Sequence, residues 1–189
     1  MLGLDWLSLG LICLLGAMSP GPSLAVVMRH SVSTGVRAGL ACAIAHALGI
    51  FLWAILMVGG LGALLLAQPA WFDLIRAGGA LFVMYLGVRS LLNNEAEMPR
   101  FENGDSAIAS YRAAREGLLI ALSNPKIAIF FAALFSQFIQ PQAPLMQQVA
   151  IAATAAVIDA LWYALVSVSI SRAAIAVSHI TVLNRVFGA

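Results

Sequence analysis

The tetrapeptide Ser19-Pro20-Gly21-Pro22 interrupts the first long apolar segment of the chain, which runs from about residue 4 to residue 28. A helix needs about 20 apolar residues to cross the hydrocarbon core of a bilayer, so this segment is long enough to span a membrane. Proline inside such a span frees a backbone carbonyl from its helical hydrogen bond. In lipid that group must be satisfied by protein, water or ligand. The sequence therefore predicts a first membrane helix that is broken within the bilayer.

A second break, Ser123-Asn124-Pro125-Lys126, interrupts the fourth apolar segment at about 113–139. The residues after each break are alike, because residues 22–28 read PSLAVVM and residues 125–131 read PKIAIFF. The breaks are three spans apart, so the two halves would have opposite orientations. Inverted repeats with broken helices are typical of transporters. We expect a single transmembrane domain with repeat 1 at about 1–92, a cytoplasmic loop at about 93–112 and repeat 2 at about 113–189.

The composition indicates a membrane protein, since 62% of the residues are hydrophobic and 10% are charged, whereas globular domains carry about 25% charged residues. Further apolar segments lie at about 38–66, 72–92 and 145–171. Residues 172–189 are more polar and predict an amphipathic surface segment or an incomplete sixth span. We therefore expect an all-α integral membrane bundle of five firm spans plus an incomplete sixth, with the chain truncated at its C-terminus.

Other classes of function are disfavoured by charge and by cysteine usage. A net charge of +2 without a basic run does not suit a nucleic-acid binder. Cys13 and Cys42 form no CxxC pair, so neither a zinc site nor a redox motif is predicted. We expect packed thiols, no catalytic residues, no metal and no cofactor. A membrane thiol-relay enzyme would need a cysteine in each half, and both cysteines lie in the first half.

The orientation follows from the loops that carry arginine, because short cytoplasmic loops are enriched in Lys and Arg. The first, third and fifth loops contain arginine, whereas the loops near residues 68–70 and 140–147 contain no basic residue. We expect the odd loops in the cytoplasm and the N-terminus outside. The arginines of these three loops are Arg29, Arg37, Arg89, Arg100, Arg112, Arg115, Arg172 and Arg185.

The helix that starts after each break is a candidate anion site, because helix N-termini attract carboxylates. These sites begin near Ser23 and near Lys126. A lysine is itself disfavoured at a helix N-terminus and is costly in the membrane, so we expect an anionic partner, either Asp159 or a substrate carboxylate. A structural Lys126–Asp159 pair, a lysine reaching the interface and plain kinks are the alternatives.

Two more ionisable residues lie in apolar spans. Asp159 shares a helix face with small residues, so it is expected to face the bundle, where an ionisable group is a functional-site candidate. His46 borders a similar stripe, and histidine is the side chain whose charge changes near neutral pH. A packing role is the alternative for His46. At 1.5 Å per residue, Pro22, His46, Lys126 and Asp159 fall at similar depths in the membrane.

The two breaks, followed by Gly35-Val36-Arg37-Ala38-Gly39-Leu40, Tyr85-Leu86-Gly87 and the aromatic pair Phe130-Phe131, resemble the LysE/RhtB family of bacterial amino-acid exporters. The resemblance implies efflux of amino acids or close derivatives across the inner membrane by proton antiport. It also implies six helices in two inverted triplets and assembly as a homodimer. Ser136-Gln137-Phe138 departs from the family's Pro-Gln-Phe, and the chain stops at the lead-in to a sixth helix.

We therefore expect an amino-acid exporter in the lipid bilayer rather than an enzyme, with Asp159 and His46 as proton-coupling groups. An exporter of another small solute or ion, and a non-transporting membrane subunit, are the alternatives. The expected substrate-binding residues are Pro20, Gly21, Pro22, Ser23, Asn124, Pro125, Lys126 and Asp159.

Overall fold

The computed structural model of the protein describes residues 3–57, 70, 106–138 and 144–187. All the regular structure within these ranges is helical. The predicted third span at about 72–92 lies outside the described residues, as does most of the loop that follows it. The helices are α1 (Gly3–Met18), α2 (Pro22–Ser33), α3 (Val36–Leu56), α4 (Ser106–Ser123), α5 (Pro125–Phe138) and α6 (Leu145–Phe187).

The first apolar segment is broken where the sequence predicts. Helix α1 ends at Met18 and α2 begins at Pro22, and the two helices are bent by 64° relative to one another. Pro22 occupies the first helical position of α2, where its missing N–H is no loss. The predicted interruption at Ser19–Pro22 is therefore present in the structure.

Several described helices are suited to a bilayer. Helix α3 and residues Leu145–Ala174 of α6 are long and apolar enough to cross a membrane, and the bent pair α1–α2 gives a third crossing if it is one span. The outward faces are apolar at a spacing of four residues, as a lipid environment requires. Such residues include Leu7, Leu11 and Leu15 on α1, Ile44, Leu48 and Leu52 on α3, and Val157, Leu161 and Leu165 on α6. The protein is a membrane protein whose described residues form only helices.

Two predicted boundaries are corrected. Residues 106–112, assigned to the cytoplasmic loop, form the first turns of α4, because their alanines and arginine favour a helix without needing lipid. Residues 172–187, expected to form a separate segment, continue α6 without interruption. Neither proline nor glycine occurs between residues 145 and 187, so nothing in the sequence stops the helix.

Helix α3 lies at the centre of the described bundle and packs on α2, α4 and α6. Small residues permit close approach between membrane helices. A Cβ atom added to Gly49 would lie 2.5 Å from the Ala121 Cβ, and one added to Gly117 would overlap the Cys42 carbonyl oxygen. The backbones of α3 and α4 can therefore pack this closely only because these positions are glycine.

One end of the bundle gathers basic residues. Arg29 pairs with Glu116, and His30 Nε2 lies 3.0 Å from Glu116 Oε2, which joins the end of α2 to α4. The Ser171 hydroxyl donates to the Ser31 carbonyl at 2.9 Å, which brings α6 to the same place. The sequence neighbours of these residues therefore lie at this end as well; they are Arg37, Arg112, Arg115 and Arg172.

Candidate functional site

A cavity of about 50 Å³ lies where the two helix breaks meet α3 and α6. A buried water needs roughly 10–15 Å³ of such space, so the cavity has room for a few water-sized groups. Its polar wall is formed by side chains from four helical segments and by the Gly21 backbone. The polar side chains include Ser23, His46, Asn124, Lys126 and Asp159.

The break between α1 and α2 leaves a helix start without a side-chain cap. Gly21 is the N-cap residue and Pro22 has no N–H, while the Ala25 N–H donates to the Gly21 carbonyl at 3.2 Å. Among the residues that the structure describes, no side chain caps this helix start. The first-turn N–H groups of Ser23 and Leu24 therefore remain open at a helix end that carries partial positive charge.

At the break between α4 and α5, the N–H groups that begin α5 are all hydrogen-bonded to Asn124, so this helix start is closed. The Asn124 side-chain oxygen accepts the Lys126 N–H at 3.1 Å, and the Asn124 carbonyl accepts the N–H groups of Ile127 and Ala128 at 3.0 and 3.3 Å. Pro125 has no N–H to offer. The expectation of a second free anion site near Lys126–Ala128 is therefore wrong, because Asn124 caps the helix.

Asn124 also connects the two breaks. Its amide nitrogen donates to the Ser23 hydroxyl at 3.1 Å, and both residues are buried. The Asn124 side chain thus accepts a hydrogen bond from the first turn of α5 with its oxygen and donates one to the first turn of α2 with its nitrogen. This fixes the open helix end of α2 beside the closed helix end of α5.

Lys126 bonds to backbone carbonyl oxygens in the structure. Its ammonium donates to the Ser19 carbonyl at 2.9 Å and lies 3.5 Å from the Pro20 carbonyl. These carbonyls follow the C-terminus of α1, where the helix dipole favours a cation. Asp159, one of the two anionic partners considered for Lys126, does not pair with it, because the break supplies carbonyl oxygens nearer to the lysine.

Asp159 pairs with His46 across the interface of α3 and α6. His46 Nδ1 lies 2.8 Å from Asp159 Oδ2, and the two residues are 1% and 6% exposed. The imidazole packs edge-on against Tyr163, with ring centroids 4.9 Å apart. His46 Nε2 is buried and has no hydrogen-bond partner among the described residues. The pair is therefore a buried carboxylate–imidazole unit in which one ring nitrogen has no partner among the described residues.

The remainder of the cavity wall is mostly apolar and aromatic. Sequence reasoning did not select these residues, although Cys13, Gly16 and Ala17 share a helix face by their spacing, and Tyr163 follows Asp159 by one turn. Cys13 lines the cavity, whereas Cys42 packs between helices away from it, and both are buried free thiols as expected. The wall includes Cys13, Ala17, Ile50, Ile127, Phe130, Phe131, Ala155 and Tyr163.

The structure brings most of the expected site residues together. Pro20 lies in the non-helical link between α1 and α2, and Pro22 and Pro125 occupy the first positions of α2 and α5. These three prolines shape the backbone and do not line the cavity. Those that line it are Gly21, Ser23, His46, Asn124, Lys126 and Asp159.

Comparison of the sequence with known proteins identifies a family that it matches. The family model for LysE type translocators matches residues 14–189. The leucine efflux protein of Salmonella typhimurium is 29% identical over 66% of this chain and 58% of its own length. An uncharacterized membrane protein of Pseudomonas aeruginosa is 35% identical over 65% of this chain and 58% of its own length.

The match thus spans less than two thirds of these relatives. No solved structure matches the chain. Because the family model covers nearly all of the sequence, the protein belongs to the family of LysE-type translocators.

Proposed function

We propose that the protein exports amino acids or close derivatives across the bacterial inner membrane in exchange for protons, by alternating access around the cavity. The observation that carries the proposal is the charge arrangement of the cavity wall. An open helix N-terminus and Lys126 provide positive charge, Asp159 provides negative charge, and the surface between them is largely apolar. A zwitterion with an apolar side chain matches such a wall.

The substrate carboxylate is assigned to the start of α2. The open N–H groups of Ser23 and Leu24 point from a helix end that favours anions. The Lys126 ammonium has three donors, and its contacts with the Ser19 and Pro20 carbonyls use at most two of them. At least one N–H therefore remains for a charge-assisted hydrogen bond to the carboxylate.

The substrate ammonium and the coupling proton are assigned to Asp159 and His46. Asp159 Oδ2 is engaged with His46 Nδ1, which leaves the other carboxylate oxygen for the ammonium group. A proton added to this buried pair weakens its attraction for a cation. Substrate and proton then compete for one site, and competition of this kind couples export to the proton gradient.

The apolar wall suits an aliphatic side chain. Ile50, Ile127 and Ala155 offer no hydrogen bond to a polar substrate side chain, and burying such a group without a partner is unfavourable. The relatives named for leucine efflux agree with this chemistry. Leucine and its aliphatic neighbours are therefore the first substrates to test.

The orientation and the repeats belong to the same proposal. The basic end of the bundle faces the cytoplasm, which places the N-terminus outside. The inverted repeat is supported by a shared local feature, since α2 and α5 both start with proline directly after an interruption of the preceding helix.

The test is efflux from proteoliposomes that contain the full chain and a mixed panel of amino acids. We expect selective loss of one or a few aliphatic amino acids, faster when the outside is acidified. Equal retention of the whole panel by well-folded protein would overturn the proposal and favour another solute or ion, or a non-transporting subunit.

A further inference from the structure

Gly16 of α1 lies against the aromatic ring of Phe130 of α5, and both residues line the cavity. A Cβ atom added to Gly16 would lie 2.8 Å from Phe130 Cε2 and from Cζ. Such a distance is well inside van der Waals contact, which for carbon atoms is about 3.5–4.0 Å. The ring can keep its position only because residue 16 has no side chain.

The ring has little freedom to move deeper into the protein. It packs edge-on against Phe131, with centroids 5.4 Å apart, and Phe131 is almost fully buried in the core. Displacing packed core side chains is unfavourable, whereas the cavity is space without protein atoms. A side chain at position 16 would therefore push the Phe130 ring toward the cavity.

We propose that Gly16 and Phe130 form a size filter, in which their contact sets how large a substrate side chain the cavity accepts. The inference rests on the proposed export function and narrows it to amino acids with aliphatic side chains up to a limit set by the ring. The α-carboxylate and the α-amino group lie at the polar wall, and the filter acts on the side chain alone.

Two substitutions change the filter in opposite directions. Gly16→Ala narrows the cavity and is expected to lower the leucine-to-alanine efflux ratio about tenfold, the scale at which pockets discriminate one methylene group. Phe130→Ala widens it and is expected to raise the phenylalanine-to-leucine ratio by a similar factor. Ratios of efflux from one proteoliposome preparation do not depend on how much protein has folded.

A double variant tests whether Gly16 acts through the ring. In the Phe130→Ala background, Gly16→Ala should leave the ratios nearly unchanged, because the atoms it displaces are gone. Gly10→Ala is the matched control on the same helix, since among the described residues its Cβ would meet only Ile158 Cδ1, at 3.8 Å. Phe130→Leu removes less volume and should give an intermediate ratio, which keeps the filter testable if a larger change prevents folding.

The outcomes separate the two proposals. Wild-type export with wild-type ratios in Gly16→Ala and both Phe130 variants would overturn the filter and leave the exporter intact. A full-strength effect of Gly16→Ala in the Phe130→Ala background would also overturn it. A wild-type protein that exports none of the panel would overturn the proposed function, and the filter with it.

Discussion

Asn124 is the residue that makes the two helix breaks differ. Its side-chain oxygen caps α5 and its amide nitrogen binds the Ser23 hydroxyl of α2. Both breaks have proline at the first helical position, so they look equivalent as sequence. Only the placement of the Asn124 side chain closes one helix start and leaves the other open toward the cavity.

Replacing Asn124 by alanine is expected to destabilise the protein. The change removes a helix cap, which contributes about 1 kcal/mol, and leaves the buried Ser23 hydroxyl without its donor. The midpoint temperature of thermal unfolding in detergent should be clearly lower than that of the wild type. The control is Ser123→Ala, because Ser123 is exposed and, within the described part of the chain, its side chain bonds only to the Leu119 carbonyl of its own helix. Equal decreases for both variants would contradict the bridging role of Asn124.

Replacing Lys126 by methionine is expected to weaken substrate binding. Methionine keeps most of the chain length but cannot donate to a carboxylate or to the Ser19 carbonyl. The amino-acid concentration at half-maximal efflux should rise about tenfold or more, which corresponds to the loss of one hydrogen bond to a charged group. Arg112→Gln, at an exposed arginine away from the cavity, should leave this concentration unchanged. An unaltered half-maximal concentration in Lys126→Met would contradict the assignment of the carboxylate.

The ionisable residues of the cavity could be selected from the sequence, but their partners could not. His46, Lys126 and Asp159 are conspicuous because charged groups are rare in apolar spans. Expecting either Asp159 or a substrate carboxylate beside Lys126 assumed that a cation in the membrane needs an anionic partner. Carbonyl oxygens freed by the break accept hydrogen bonds from the lysine, and Asp159 meets a histidine 113 positions away.

At the level of helices, close packing depends on glycines. A Cβ atom added at each of these glycines would meet a different kind of neighbouring atom. A Cβ on Gly117 would overlap the Cys42 backbone carbonyl, which cannot move without moving α3. A Cβ on Gly39 would overlap the hydroxyls of Ser31 and Ser167, which can rotate. A Cβ on Gly10 would make an ordinary contact.

These contacts predict an order of stability for three alanine variants. Gly117→Ala should destabilise most, by about 1–3 kcal/mol as overpacked positions do, Gly39→Ala should destabilise less, and Gly10→Ala least. Thermal unfolding of the three proteins in one detergent measures the order. A Gly117→Ala protein as stable as Gly10→Ala would show that α3 and α4 are not packed this closely.

The helix breaks could be predicted from sequence, whereas some helix ends could not. Proline has a direct steric effect on the backbone, so the ends at Met18 and Ser123 follow from local chemistry. Polarity alone was a poor guide to the start of α4 and to the region beyond Ser171, because a helix can continue through polar residues that favour helix formation.

For the molecule as a whole, the clustering of basic residues predicts the orientation. In a variant without native cysteines, Cys13→Ala/Cys42→Ala, an added Arg37→Cys lies at the basic end and an added Met146→Cys lies at the start of α6. A membrane-impermeant maleimide should label the Met146→Cys protein in intact cells and the Arg37→Cys protein only after permeabilisation. The reverse pattern would place the basic end outside.

The class of the whole molecule was readable from composition, since so few charges cannot solvate a surface in water. The family was readable from the two breaks and their spacing, and the family model confirms it. The count of five spans and the inverted repeat stay predictions, because the described residues include only one residue, Ala70, between positions 58 and 105.

The measurement that tests the central claim most directly is leucine efflux from proteoliposomes with an acidic exterior, by wild-type protein and by Asp159→Asn. The amide keeps the size of the side chain but does not ionise, so it can neither carry a negative charge nor take up and release the coupling proton. Thr154→Val is the control on the same helix, away from the cavity.

We expect the gradient to accelerate leucine efflux by the wild type and by the control. Asp159→Asn should unfold at a similar temperature and show no gradient-driven efflux. Gradient-driven efflux by Asp159→Asn at the wild-type rate would contradict a site in which Asp159 binds either substrate or proton.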